Sequence, residues 1–431
     1  MSPVIQPQFT FAPAITPPTS KRVARTISLP DQLATFSEFG AATRIISTKF
    51  SGGETPTYVN EFWTARQRQA NSLHEVSYRA CFKPQLPRFF IERLTQLGDV
   101  VYDPFMGRGT TAIEAALLGR VPFGNDINPL SLTLTSPRLL PPTLEQVEAR
   151  LRDIRLTDHD EFPKDLLAFY HPDTLRGICA LKKHFLKNAN SRRSSSTAAV
   201  DQWLCMIALN RLTGHSPGFF SVYTLPPNQA VSLASQLKIN AKRKQTPPRR
   251  DVIKIILKKS NQLLGDVTPD IRQTLRSVAE AARFTNAPAN DTRELPPESV
   301  ALAVTSPPFL DVVQYADDNW LRCWFLGIDP KSVAITAPKK IEAWAVVMTN
   351  VFRELHRVLK IGGHIAFEVG EVHGGKTKLE ETVLPCGVAA GFDPLLVLIN
   401  DQKFTKTANC WGVDNMSKGT NTNRIVVFLK K

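Results

Sequence analysis

The stretch DPFMGRGTT at residues 103–111 decides the fold, because it follows the apolar run VVY and continues into the helix-type sequence TTAIEAALLGR. A strand, a glycine-containing turn and a helix in this order begin a Rossmann-like α/β unit. Gly107 and Gly109 permit a tight turn and let a ligand approach the backbone, while the helix start offers unpaired N–H groups. The stretch therefore predicts a nucleotide-type ligand loop at the end of a first strand.

The next strand supplies an acid. The run VPFGND ends at Asp126, and an acid at the end of the second strand of a Rossmann-like sheet can accept both ribose hydroxyls. Asp126 lies 17 residues past Gly109 and the G-x-G pattern lacks a third glycine, so NAD is the weaker ligand candidate. Runs at 283–287 and 300–304 predict the third and fourth strands, with Asp291 in the loop after the third. These runs predict an α/β fold with a Rossmann-like sheet.

A second motif, TSPPFLDVVQY at 305–315, directly follows the fourth predicted strand. An exocyclic amine on a nucleobase is a poor nucleophile, so an enzyme acting on it needs two hydrogen-bond acceptors. The Ser306 oxygen and the Pro307 carbonyl can serve, and Pro307 with Pro308 stiffens the loop in advance. Phe309 offers a ring on which a flipped base can stack. If the first and fourth strands are neighbours, Asp103 and Ser306 will face one cleft.

Charge is concentrated in the middle of the chain. The whole sequence of 431 residues carries a formal charge of +14, and residues 151–280 hold 21 Lys and Arg against 11 Asp and Glu. A solvated helical face explains many such runs, but so local an excess favours contact with a phosphate backbone. The densest part, from Lys238 to Lys259, has nine basic residues and one acid. The nucleic-acid-binding residues predicted within it are Lys238, Lys242, Arg243, Lys244, Arg249 and Arg250.

The organisation along the chain follows from these features. Residues 1–30 are rich in Pro and Thr and predict a flexible arm. Residues 31–150 form the first part of the main domain, with a helix, a loop and a second helix expected over about 60–100. A mostly helical basic insertion, assigned to target recognition, spans 151–280, and residues 281–431 complete the domain with helices and strands.

Both motifs resemble those of the S-adenosylmethionine-dependent DNA amino-methyltransferases, the N4-cytosine and N6-adenine group. The glycine loop resembles DPFMGRGTT and the catalytic loop resembles TSPPF, and the serine form of that loop is more usual among N4-cytosine enzymes. The resemblance covers residues 75–135 and 285–431. It implies a Rossmann-like methyltransferase sheet, S-adenosyl-L-methionine as cofactor, and duplex DNA with a flipped base as substrate.

The resemblance also implies roles for individual residues. Asp103, Phe105, Gly107 and Gly109 would line the methionine and ribose parts of the cofactor, and Asp126 would hold the ribose hydroxyls. Asp291 matches the acid near the adenine, and Phe82 and Pro84 match the element before the glycine loop. The full predicted cofactor-binding set is Phe82, Pro84, Asp103, Pro104, Phe105, Gly107, Gly109, Thr110, Thr111, Asp126 and Asp291. The predicted catalytic set is Ser306, Pro307, Pro308 and Phe309.

Two departures from the family pattern bear on these expectations. Arg108 stands where the family often has Ser. The long insertion falls between the second and third strands, which is not its more usual location for target recognition, so substrate selection stays open.

Several alternatives remain beside N4-cytosine methylation of DNA. These are N6-adenine methylation of DNA, amino-methylation of RNA, and a catalytically silent nucleic-acid-binding relative. Pro385-Cys386 is similar to the nucleophile pair of C5-cytosine methyltransferases but falls in a late predicted helix. The loop at 214–229 would either insert aromatic rings against bases or cap helices.

The remaining expectations concern location and partners. No run approaches the roughly 20 apolar residues of a membrane helix, and no secretory signal pattern opens the chain, so a cytoplasmic protein without membrane contact is expected. The scattered cysteines and histidines predict no metal site. A cognate restriction endonuclease is a candidate partner.

Overall fold

The computed structural model describes residues 27–64, 70–79, 81–156, 161–189, 196–224, 230–308, 315–333, 338, 340–369, 371–372, 377–401 and 422–431. Most of the predicted arm at 1–30, and the predicted catalytic residue Phe309, lie outside the described residues. The helices and strands given below all lie within the described residues.

The strands build one large mixed sheet. Their order across this nine-stranded sheet is β1-β2-β10-β11-β7-β6-β3-β4-β5, and β8 pairs with β9 separately. The strand bounds are β1 Arg44–Phe50, β2 Gly53–Asn60, β3 Val100–Asp103, β4 Val121–Asn125, β5 Arg283–Thr285, β6 Val300–Thr305, β7 Leu359–Val369, β8 Glu371–Val372, β9 Thr377–Lys378, β10 Asp393–Asp401 and β11 Thr422–Leu429.

The centre of the sheet has the doubly wound arrangement that the sequence predicts. β5, β4, β3, β6 and β7 run parallel to one another. β6 is buried along its whole length, which explains why its sequence VALAVT is apolar at nearly every position. The strand order reverses direction between β3 and β6, so the loops after these two strands flank the switch point where such sheets bind ligands. The α/β class is confirmed.

The last strands close the sheet in an antiparallel manner. β11 lies between β7 and β10 and is antiparallel to both. The sheet then extends further than the sequence indicated, because β2 pairs in parallel with β10 and forms a hairpin with β1.

Helices cover both faces of the sheet and form the region between β4 and β5. Their bounds are α1 Leu29–Ala34, α2 Gln85–Leu94, α3 Thr110–Leu117, α4 Leu130–Thr135, α5 Leu144–Asp153, α6 Pro172–Ala189, α7 Ser196–Arg211, α8 Leu233–Arg243, α9 Val252–Leu264, α10 Pro269–Ala279, α11 Tyr315–Leu326, α12 Ile341–Val358 and α13 Leu379–Ala389. Short 3-10 turns occupy Ser72–His74, Ser136–Arg138, Lys164–Ala168 and Pro330–Ser332.

The helix pair expected over about 60–100 is only half present. α2 forms the second helix, but the segment before it contains the 3-10 turn Ser72–His74 and otherwise irregular backbone among its described residues. Polar side chains that bond locally explain the difference, since the Asn71 side chain caps the short turn through the Leu73 N–H. The expectation of a first helix here is wrong for the described residues.

The residues between β4 and β5 do not stand apart from the rest. Trp203 on α7 and Ile256 on α9 belong to the same buried cluster as Ile113 of α3 and Leu321 of α11. A second cluster on one sheet face joins Phe352 of α12 to the strands. The inserted helices therefore pack directly beside the glycine-loop helix. Among the described residues, no helix is long and apolar enough to cross a membrane.

Candidate active site

The two sequence motifs meet at the carboxyl ends of neighbouring strands. β3 pairs in parallel with β6, with Tyr102 opposite Ala303. The Thr305 hydroxyl donates to Asp103 Oδ1 at 2.6 Å. The Thr111 hydroxyl donates to the Val304 carbonyl at 3.0 Å. These side-chain bonds fasten the glycine loop to the strand that carries Ser306.

The two glycines of the loop, Gly107 and Gly109, differ in how closely their surroundings are packed. Both have left-handed backbone, with φ of 53° at Gly107 and 77° at Gly109. A Cβ at Gly109 would lie 2.4 Å from the Thr135 side chain, whereas a Cβ at Gly107 would meet nothing nearer than 3.8 Å. Gly109 is therefore required by the packing of α3 against α4, whereas a Cβ at Gly107 would be in ordinary van der Waals contact with Tyr78 and Cys81.

Asp103 is at the floor of this cleft. Its side chain is almost fully buried, with 1% of the residue exposed, and the Phe105 N–H donates to it at 3.0 Å. Burial raises the pKa of Asp103 to about 7, against the opposing effect of its hydrogen-bond donors. The Asp103 carboxyl therefore joins the start of the glycine loop, at Phe105, to Thr305 at the end of β6.

Asp126, which directly follows β4, forms hydrogen bonds to the same loop. The Gly107 N–H donates to its Oδ2 at 2.7 Å and the Asn128 N–H donates to its Oδ1 at 2.8 Å. Burial raises the pKa of Asp126, while these two N–H groups lower it. Each carboxylate oxygen has a second lone pair, so both oxygens keep the capacity to accept one further hydrogen bond.

The other predicted cofactor-binding residues surround this loop in the chain. Asp291 lies in the loop after β5, where it is paired with Arg293 Nε at 2.8 Å. Phe82 packs against the buried cluster around α2, and Pro84 immediately precedes that helix. Pro104 and Phe105 follow β3, and Thr110 and Thr111 begin α3 with buried side chains.

Two buried arginines beneath the loop were not predicted. Arg138 is fully buried, and its guanidinium donates to the carbonyls of Leu134 at 2.9 Å, Leu73 at 3.0 Å and Arg108. Arg108 donates to the Val76 carbonyl at 2.9 Å. Burial first, and then the nearby Arg108 cation, lowers the pKa of Arg138 to about 9. The departure from the family pattern at Arg108 therefore coincides with a structural tie of the loop to residues 73–76.

The Ser-Pro-Pro loop is held at both ends. Ser306 follows β6 directly, and its hydroxyl donates to the carboxylate of Glu368 on the adjacent β7. Trp344 of α12, which is 1% exposed, donates its indole N–H to the Pro308 carbonyl at 3.0 Å. Neither Glu368 nor Trp344 was singled out from the sequence, because their contacts depend on strand register and helix packing.

The predicted basic surface is largely solvent-facing. Lys238, Lys242, Arg243, Lys244 and Arg249 are exposed, and Arg250 is half-buried. The Arg243 guanidinium stacks 3.8 Å from the centre of the Tyr223 ring. Lys259, at the end of the same charge run, differs because only 5% of it is exposed and burial lowers its pKa to about 8.

Two other sequence features have structural roles. In the described part of the loop at 214–229, Phe219 and Phe220 are buried, which favours packing over contact with bases. Cys386 is buried inside α13, and its thiol donates to the Thr382 carbonyl at 3.2 Å. Burial raises the pKa of this thiol, which is the opposite of what a nucleophilic cysteine requires.

Comparisons with known proteins match the glycine-loop region most strongly. A family model described as DNA methylase, of the N6 and N4 type, matches residues 41–135. The type II methyltransferase M.BsoBI of Geobacillus stearothermophilus is 24% identical over 319 residues, which is 65% of this chain and 58% of that protein. The type II methyltransferase M.MjaII of Methanocaldococcus jannaschii is 32% identical over 101 residues, covering 23% of this chain and 18% of that protein.

Solved structures add a weaker likeness. The match to TrmN from Thermus thermophilus spans 85% of this chain and 52% of the TrmN chain, with 12% sequence identity and a TM-score of 0.32. A score this low carries no argument, so the fold rests on the strand order described above. The chain spans less than two thirds of the length of the curated relatives it matches. The family model and these relatives show that part of this chain, including its glycine loop, is similar to DNA methylases of the N6 and N4 type.

Proposed function

We propose that this protein transfers a methyl group from S-adenosyl-L-methionine to the exocyclic N4 of a flipped cytosine in duplex DNA. The single observation that carries the proposal is the junction of the two motif loops, where Thr305 bonds Asp103 at 2.6 Å. A methyl donor held at the glycine loop and an amine held at Ser306 would then share one cleft.

The residues around the glycine loop fit this cofactor. Asp103 and Asp126 are close enough that the charge of Asp126 contributes to the raised pKa of Asp103. Such a pair of carboxyls favours a cationic ligand, and the cofactor is a sulfonium cation. Gly107 adds no side chain that would keep a ligand from the loop backbone. When bound, the cofactor supplies an activated methyl group and leaves as S-adenosylhomocysteine.

The chain's own residues would prepare the amine. Its lone pair is delocalised into the ring, and two acceptors for its protons let the nitrogen become pyramidal. Ser306 Oγ and the Pro307 carbonyl are the assigned acceptors, because the Pro308 carbonyl is already bonded to Trp344. Phe309, which lies outside the described residues, is assigned to stacking on the base. The amine attacks the methyl group directly, so no covalent enzyme intermediate is required.

The basic surface would hold the nucleic acid. Lys238, Lys242, Arg243, Lys244, Arg249 and Arg250 sit on α8 and on the segment before α9, and most of these side chains are exposed. Positive charges in this arrangement can neutralise backbone phosphates without reading sequence. A restriction endonuclease remains a candidate partner, and a cytoplasmic location remains an expectation.

Ser306→Ala tests the proposal. We expect its turnover on DNA to fall by more than tenfold, because an acceptor for the amine is lost. Its affinity for S-adenosyl-L-methionine should be unchanged, because Ser306 is not among the residues assigned to the cofactor. Ser299→Ala is the matched control, since this serine lies at the opposite end of β6 and its hydroxyl only donates to the Pro296 carbonyl at 2.8 Å. Wild-type turnover in Ser306→Ala would refute the proposed role of the loop.

The product identifies the substrate. The protein is incubated with isotope-labelled S-adenosyl-L-methionine and, separately, with mixed-sequence DNA and total RNA, and the labelled nucleoside is identified by mass spectrometry. N4-methylcytosine in DNA is the expected product. N6-methyladenine would overturn the base assignment, and label in RNA alone would move the activity to RNA. Cofactor binding without label in either polymer would contradict an active enzyme.

A further inference from the structure

A row of polar side chains crosses the carboxyl end of the sheet beside Ser306. Ser306 follows β6, Glu368 is on β7, Asn423 is on β11 and Asn400 is on β10. These strands are consecutive in the sheet on this side, and Asn423 is directly opposite Asn400 in the register. Apolar side chains dominate the core around them, so a continuous polar row there needs a reason.

Three members of the row are joined by hydrogen bonds. Thr305 lies opposite Phe367 in the parallel register of β6 and β7, which places Ser306 beside Glu368. A hydrogen bond from the Ser306 hydroxyl stabilises the Glu368 carboxylate against the burial that raises its pKa. The Asn423 amide donates to Glu368 Oε1 at 2.6 Å. Further along, Asn400 accepts from the Phe62 N–H at 2.7 Å and donates to the Trp63 carbonyl at 3.2 Å. The bonded part of the row, from Asn423 through Glu368, thus ends at Ser306, and Asn400 beside it is fixed to the backbone of Phe62 and Trp63.

The direction of the Ser306 bond has a chemical consequence. A hydroxyl has one hydrogen to donate and two lone pairs with which to accept. With its hydrogen directed to Glu368, Ser306 can present only lone pairs to an incoming group. An amine whose protons must be accepted requires this orientation, whereas a hydroxyl free to rotate would present its own hydrogen part of the time.

We propose that Glu368 is a positioning residue, which fixes the Ser306 hydroxyl as an acceptor for the protons of the substrate amine. This inference rests on the proposed function. Asn423 supports it by holding the carboxylate in place through Oε1, so that the carboxylate remains directed at Ser306. Glu368 itself does not touch the reacting atoms, and it acts through Ser306.

The test is a double-mutant cycle in turnover on DNA. Glu368→Met keeps an unbranched side chain of similar length but removes the acceptor. We expect kcat to fall by about tenfold, with KM for DNA and the dissociation constant for S-adenosyl-L-methionine unchanged. In a Ser306→Ala background the same substitution should have no further effect on kcat, because the residue through which Glu368 acts is already gone.

Each outcome separates the inference from the function on which it rests. An equal loss in both backgrounds would show a merely structural role for Glu368, and wild-type kcat in Glu368→Met would also overturn the inference. If Ser306→Ala is fully active, the proposed function itself fails. If urea denaturation shows that Glu368→Met is not folded, Glu368→Ala replaces it in the same cycle, and the same outcomes decide the result.

Discussion

At the scale of single residues, the pKa of Asp103 governs a pH dependence of stability. Burial raises this pKa from its ordinary value near 3.8 to about 7, so the folded state prefers the protonated carboxyl. The stabilisation is complete below the pKa of the unfolded state and is lost as the pH rises through about 7. The cleft floor is therefore most stable in mild acid.

We predict that Asp103→Asn removes this dependence. The free energy of unfolding of the variant, relative to wild type, should increase from pH 5 to pH 8, because the amide cannot ionise. Urea denaturation of both proteins at several pH values measures the difference. A difference that stays constant across this range would contradict the prediction.

Arg138 is a buried charged residue whose hydrogen bonds fix the glycine loop. Its guanidinium satisfies the carbonyls of Leu134, Leu73 and Arg108. Arg138→Met would leave these buried acceptors without donors, and each unsatisfied group costs about 1–3 kcal/mol. We expect the free energy of unfolding to fall by at least about 2 kcal/mol in urea denaturation.

The matched control for Arg138 is another arginine with an exposed partner. Arg152 is 78% exposed and its nearest acid, Glu148, is 3.8 Å away on the same helix. Arg152→Met should change stability by no more than about 0.5 kcal/mol. A similar loss in both variants would argue against the importance of the buried bonds.

Single residues also show where prediction from sequence stops. The glycine loop and Ser306 could be proposed as site residues because glycine spacing and Pro-Pro after an apolar run are local signals. Arg138 and Glu368 were not found, since charged residues are normally exposed and nothing local indicates burial. Glu368 is 62 positions from Ser306, and only the parallel register of β6 and β7 makes them neighbours.

At the scale of elements, α12 holds the Ser-Pro-Pro loop, to which a catalytic role is assigned. Trp344 near its start donates to the Pro308 carbonyl at 3.0 Å, so the position of the helix is coupled to that of the loop. Trp344→Phe keeps an aromatic ring and removes this bond. We predict a several-fold lower kcat and a stability loss of about 1 kcal/mol, measured by initial rates and urea denaturation.

Trp203→Phe distinguishes the loop contact from the general cost of losing an indole N–H. Trp203 is also fully buried, and its Nε1 donates to Ser260 Oγ at 3.1 Å within the inserted helices. This control should lose similar stability but keep its kcat. An equal loss of kcat in both variants would contradict the prediction that the bond from α12 to the Pro308 carbonyl supports turnover.

Some strands are easier to predict from the sequence than others. β6 and β3 were predicted within a residue, because buried parallel strands are continuous apolar runs. The hairpin of β1 and β2 was not predicted, since Ile45 and Ile46 are exposed and the hydrophobic alternation of a strand is absent. Its pairing with β10 joins residues more than 300 positions apart, which no local pattern encodes.

At the scale of the whole molecule, the positive charge should control binding to DNA. Lys242 and Lys244 are exposed at the end of α8. If both contact phosphates, the double variant Lys242→Ala/Lys244→Ala should weaken duplex binding and reduce the slope of log K against log salt by about 2. A fluorescence titration at several salt concentrations measures this slope.

The control removes the same charge elsewhere. Lys49 is exposed on β1, at the opposite edge of the large sheet from β5. Lys378 is exposed at the end of β9, directly before α13, and that helix contacts β1. Lys49→Ala/Lys378→Ala should leave the slope within about 0.5 of wild type, because it changes net charge without removing a phosphate contact. Equal changes in the two double variants would show that only net charge matters.

The place of β11 bears on how the chain is made. β11 lies between β7 and β10 but follows both in the sequence. While the ribosome is still producing residues before 422, the facing edges of β7 and β10 have no strand to pair with, and unpaired edges invite aggregation. The central sheet can therefore be completed only after β11 has emerged, and nascent chains stalled before that point will depend on chaperones.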